Sequence, residues 1–135
     1  LKGTGTNQGN VGRRGEGEDI VTRGIEFLGD ALEVIKKFPV KTRVSMGHAL
    51  HVAQQGDKVL YAKPLKGMGG GAMVMEVCDD FGGNTFRVMY TVKIGSKVYV
   101  LHAFQKKSKQ GIETSKSEID VVKARLKKAK EMAGM

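Results

Sequence analysis

The fold can be worked outward from TFRVMYTVKIGSKVYVLHAFQKKSK, residues Thr85–Lys109. Side chains alternate across an extended strand. That period puts Phe86, Val88, Tyr90, Val92 and Ile94 on one face and Thr85, Arg87, Met89, Thr91 and Lys93 on the other. Gly95-Ser96 suits a two-residue type II′ turn, whose twist matches paired strands. A second strand repeats the pattern, with Val98, Val100, His102 and Phe104 sharing a face, and then runs into Lys106, Lys107 and Lys109. The stretch therefore predicts a stiff hairpin with Arg87 behind its main apolar row and a cationic cluster at its end. Such an array suits a phosphate backbone.

Upstream, Gly24–Leu28 reads as a short first strand. Asp30 and Glu33 have capping-box spacing for a helix over Ala31–Phe38. After Pro39, Met46, Ala49, Leu50 and Ala53 recur at helical spacing, so Val40–Gln55 is a second helix folded back antiparallel to the first. Lys58–Gly71 reads as a basic loop ending in glycines, Ala72–Cys78 as a strand, and Asp79–Asn84 as the turn into the hairpin. Ser115 and Glu118 open a last helix whose Ile119, Val122, Leu126 and Ala129 form one stripe. The order β-αα-βββ-α predicts an α+β domain. Its sheet is four-stranded and mainly antiparallel, with two N-terminal helices and a C-terminal helix on one face. Residues 1–22, rich in glycine and polar side chains, read as a flexible leader before a domain over 23–135.

Lysine and arginine outnumber aspartate and glutamate by 23 to 14, a formal charge of +9. Nearly all of that excess lies after residue 24, so it belongs to the folded part. A basic domain favours an anionic partner, nucleic acid first. No apolar run approaches a membrane-spanning length, and no apolar signal core precedes the domain. The lone Cys78 has no disulfide partner within the chain, which fits a reducing cytoplasm.

Arg87, mid-strand, is costly unless it pairs or meets an anion. Lys63, Lys66 and Lys109 are candidates for holding RNA phosphates, although basic surfaces also simply keep proteins soluble. The glycines at 67, 69, 70 and 71 fit neither phosphate-loop pattern. His48 and His51 share a helix face but lack a third ligand nearby, so no metal is expected. His102 is either a hydrogen-bonded histidine or a general base. Cys78 reads as a small buried hydrophobe, and Asp79 and Asp80 as turn formers. No cofactor motif is present. Catalysis resting on such groups suits RNA scission by the neighbouring 2′-hydroxyl, in which clustered cations stabilise the pentacovalent phosphate.

AKPLKGMGGG, FRVMYTV, VYVLHAFQKKSKQGI and the terminal helix resemble the RelE/ParE toxin superfamily, in its phage-derived HigB-like branch. The resemblance runs from about Gly24 to the C-terminus. It implies a RelE-like fold and a toxin of a type II toxin–antitoxin system. Such a toxin is a ribosome-dependent mRNA endonuclease that inhibits translation, needs no cofactor and is neutralised by an antitoxin, often a helix-turn-helix protein. By resemblance Arg87 takes the place of a phosphate-contacting arginine, and Lys106 and Lys107 match a Lys-Arg segment after the last strand; with His102 they form the expected catalytic set. Met73, Met75 and Glu76 stand where RelE has lysines, and no tyrosine follows Lys109, which leaves the general acid and base unassigned. Two other readings stay open: a non-catalytic inhibitor of a protein target, as ParE relatives inhibit gyrase, and a plain nucleic-acid-binding phage-derived protein.

Overall fold

The central hairpin forms where the alternation predicts it. The computed structural model describes residues 11–14, 18–68, 73–107 and 114–135. In chain order the elements are β1 (Val11–Arg14), β2 (Glu18–Val21), β3 (Gly24–Phe27), α1 (Ala31–Lys36), α2 (Val40–Gln54), β4 (Ala62–Pro64), β5 (Met75–Phe81), β6 (Asn84–Thr91), β7 (Lys97–Lys106) and α3 (Lys116–Met132). Within the expected leader, β1 and β2 pair antiparallel as a separate two-stranded hairpin; residues 1–10 and 15–17 lie outside the described residues. So do Lys109, the glycines at 69–71 and Ala72, the expected start of a strand.

The main sheet has five strands rather than four, in the order β3-β7-β6-β5-β4. The additional strand, β4, comes from the expected basic loop. Its Ala62 pairs with Val77 and is buried, while Lys63 and Pro64 stay exposed. A proline is compatible with a sheet edge, where its missing N–H interrupts no ladder. β3 lies parallel to β7 and the other pairs are antiparallel, so the sheet is mixed.

Helices cover both faces of the sheet, not one. On the first, Ile35, Phe38, Met46, Leu50 and Ala53 of the α1–α2 segment pack on Val77, Phe86, Val88, Tyr90, Val98 and Val100. α1 rests on β7 and α2 on β5 and β7 rather than chiefly on each other; six residues give α1 under two turns and little ridge to offer a neighbour. On the second face, Ile119, Val122 and Ala129 of α3 pack on Met89, Tyr99, Leu101 and Phe104. The expected α3 stripe is correct, and it needs an apolar surface of its own.

Local features correct the expected turns and parity. β5 runs through Asp79 and Asp80, and the turn is Gly82-Gly83, both at positive φ (62° and 83°), which glycine alone adopts without strain. β6 stops at Thr91 instead of Ile94, where the Thr91 hydroxyl accepts from the Lys93 N–H (3.2 Å). On β7 the register jumps: Met89 faces His102 but Tyr90 faces Val100, so Leu101 is an extra residue, a β-bulge. The bulge turns His102 and Phe104 onto the α3 side, away from Val98 and Val100. Asp30 makes no side-chain cap for α1; its carboxylate meets Arg125 Nη2 instead (3.1 Å). Among the described residues no helix is long and apolar enough to cross a membrane.

Candidate functional site

A cleft of about 870 Å³ opens between the N-terminal half of α3 and the β4–β6 side of the sheet. Strand parity builds its floor. Val77 turns into the α1–α2 core, so Glu76, Cys78 and Asp80 on β5 face the α3 side, with Thr85 and Arg87 on β6. Cys78 stands directly across from Arg87, and Glu76 lies diagonally beyond it, opposite Met89. Asp80 accepts from the Thr85 hydroxyl (2.9 Å). Lys63, Lys66 and Gly67 come from β4 and its end, and Lys116, Ile119, Asp120 and Lys123 from α3.

Arg87 lies opposite the helical pair, as parity predicts, but that face is not open. α3 covers it, and Arg87 is only 5% exposed. Its Nη1 donates to Glu76 Oε2 (3.0 Å) and to Thr114 Oγ1 (3.0 Å), and the Thr114 hydroxyl donates to the same Glu76 oxygen (2.7 Å). The three side chains close a triangle of hydrogen bonds. Removing Arg87 would leave the largely buried Glu76 carboxylate without its cation, a loss of about 3–5 kcal/mol.

The cleft brings together Arg87, Lys63 and Lys66 from the expected set. Lys106, half-buried opposite Thr85, does not line it, nor does the exposed Lys107 just past β7. His102 is also outside it. The His102 Nε2 meets Glu118 Oε1, and its Nδ1 meets Arg125 Nη1 (3.3 Å). A guanidinium only donates, so Nδ1 accepts and Nε2–H donates to Glu118. Arg125 also donates to the Leu101 carbonyl (3.1 Å), satisfying the bulge, and holds Asp30. It packs so tightly on Gly29, at φ +55°, that a Cβ there would lie 2.5 Å from the guanidinium carbon. One guanidinium thus ties the start of α1, the bulge and α3 together.

Cys78 is exposed on the cleft floor, not buried as expected. Its thiol pKa is nevertheless pushed up to about 11, chiefly by crowding that strips water from the thiolate, then by the Glu76 carboxylate. His48 and His51 are both exposed on α2. Among the described residues no group of three His, Cys, Asp or Glu is placed to hold a metal ion.

Sequence reasoning missed Thr114 and Lys116, and met Glu76 only as a departure from RelE. The signal for Glu76 was available: with the turn at Gly82-Gly83, parity puts it on the face of Arg87. Thr114 carried none, because it follows a segment without a legible element.

Comparison with curated proteins and with solved structures gave no match. A family model described as phage derived protein Gp49-like matches residues 33–127. That span takes in every residue of the cleft, from Lys63 to Lys123. With most of its length and its whole cleft inside the match, the chain belongs to the phage-derived Gp49-like family, which is related to the RelE-type toxins.

Proposed function

We propose that the chain is the toxin of a type II toxin–antitoxin pair, a cytoplasmic endonuclease that cuts mRNA on the ribosome without a metal ion and is held in check by a helix-turn-helix antitoxin. The observation that carries this reading is the cleft itself: Arg87, bonded to Glu76 and Thr114, lies under four rim lysines, Lys63, Lys66, Lys116 and Lys123. Lysines around an opening draw in a polyanion, and an arginine held in place beneath them can stabilise charge that grows on a phosphate. Membership of a toxin-related family supports the same reading. Lys106 and Lys107, outside the cleft, then serve in docking rather than at the scissile phosphate.

The test is cleavage of mRNA on translating ribosomes by the purified protein, with and without EDTA. Arg87→Lys keeps a cation beside Glu76 but loses the planar fork. It is expected to fold, by circular dichroism, and to cut on the order of a hundredfold more slowly. Intact mRNA with wild type under both conditions overturns the reading. Cleavage that EDTA abolishes overturns its metal-free part.

A second reading, inhibition of a protein target, draws on exposed apolar side chains around α2. Val40 and Val44 stand one turn apart at 65% and 68% exposure. Tyr61 is held against the same helix by its hydroxyl on the Ser45 carbonyl (3.3 Å), next to a fully exposed Leu60.

A further inference from the structure

We propose that the tip of the β5–β6 hairpin is a nucleotide site outside the cleft, where Phe81 stacks on a nucleobase, Asn84 meets the base edge and Lys107 holds the adjoining phosphate. The inference rests on the reading above that the cleft takes RNA. The cleft ends at Asp80 and Thr85, which stand opposite each other. One pair further on, Phe81 faces Asn84, and beyond them is only the Gly82-Gly83 turn. A Cβ at either glycine would meet nothing within 4 Å, so the crest of the turn is open among the described residues. A single strand leaving the cleft at this end can cross that crest to the other side of the sheet.

The three residues stand in one row there. Alternation from Val77, which enters the α1–α2 core, puts Phe81 on that side of β5. Asn84 shares the side with Phe86, and the pairing of Thr85 with Lys106 brings Lys107 level with Asn84. Isolated exposed apolar side chains are common. Phe81 is set apart by its company: 42% exposed, where Phe38, Phe86 and Phe104 are buried, it lies beside an amide and an ammonium group. Every base has a π-face, and aromatic rings interleaved with cations are how proteins hold single strands. An amide both donates and accepts, so it can bond to a base edge. Charge sets the direction in which the nucleotide lies. Asp79, half-buried on the same side of β5, repels a phosphate, and the exposed Lys107 attracts one. The base therefore rests over β5 and its phosphate over the end of β7. The site contributes binding and, through Asn84, a choice among bases.

The chain contains no tryptophan, so Phe81→Trp places a lone indole at the tip. The probes are a short single-stranded RNA and inorganic polyphosphate, which carries the charge without the bases. RNA is expected to quench the indole emission, and polyphosphate to bind without quenching it. Quenching by both, or by neither while RNA binds, overturns the inference. Phe81→Ala is expected to bind RNA roughly tenfold more weakly. Its affinity for polyphosphate and the salt dependence of its RNA binding should match wild type, since no cation is lost. Wild-type affinity for RNA in that variant overturns the inference and leaves the cleft reading standing. So does an equal loss toward polyphosphate, which marks a general change of the surface. Phe81→Leu keeps the apolar bulk without the π-face and should bind as the alanine variant does; wild-type affinity there overturns the inference, and this variant is read alone if the tryptophan one does not fold. Wild type that binds no RNA removes the inference, and cleavage of ribosome-bound mRNA then decides separately on the endonuclease reading.

Discussion

Cys78 shows how the cleft treats a single side chain. It faces solvent, yet its thiolate is unfavourable because its neighbours crowd out water and because Glu76 and Asp80 repel it, more than Arg87 and Lys63 can offset. Only the thiolate attacks an alkylating agent, so reactivity must rise with pH toward the raised value of about 11 instead of levelling near the ordinary 9.0. Iodoacetamide at pH 8 should therefore modify Cys78 on the order of a hundredfold more slowly than a free-peptide thiol. The Glu76→Gln variant, lacking one source of repulsion, should shift the whole profile to lower pH. A rate equal to that of the peptide, read by intact-mass spectrometry, would contradict this account of the cleft's electrostatics. The same residue marks a limit of sequence reading. Parity from Val77 puts Cys78 on the Arg87 face, but nothing in its neighbours says that α3 stops short of covering it.

Among the elements, those with a period of several turns or strand repeats were legible. Ile119, Val122, Leu126 and Ala129 predict the buried stripe of α3, and Ser115 caps it as expected, accepting from the Glu118 N–H (3.4 Å). The capping-box glutamate, however, turns its carboxylate to His102. The bulge at Leu101 was not legible, because VYVLHAF is apolar on both faces when both faces are covered, and period two then carries no mark of a slip. β4 was hidden for another reason: three residues are too few for any alternation to stand out from the basic loop around them. The second helical layer did leave a trace. Met89, Tyr99 and Leu101 are too apolar for an open face, and a stripe on α3 had to find a surface to cover.

At the scale of the molecule, the basic residues lie in part around one opening. Lys63 and Lys66 on one side of the cleft and Lys116 and Lys123 on the other face a common opening. Each phosphate neutralised releases a counterion, so four contacts to single-stranded RNA give a log–log slope of binding on salt of roughly −3. Fluorescence anisotropy with a short RNA should show that slope, and it should become shallower by about one contact when Lys123 is changed to alanine. A flat dependence would favour the apolar surface around α2 and a protein target.

The parallel pairing of β3 with β7 has a consequence in time. It joins Gly24 to Lys97, more than half the chain apart, whereas β5, β6 and β7 are linked by short turns. Loop closure makes the distant pairing the slow one. The β5–β6–β7 meander should therefore assemble first and wait with the Lys97–Val100 edge of β7 bare. During that interval the chain carries an unpaired apolar strand edge, the usual template for joining another copy. Pulse-labelled hydrogen exchange during refolding should find the β6 amides protected before that of Leu28, which ends on the Val100 carbonyl (2.9 Å). Simultaneous protection would mean that the sheet closes in one step. Staggered protection would mean that the edge shielded by β3 in the finished protein is where crowded, newly made chains stick to one another.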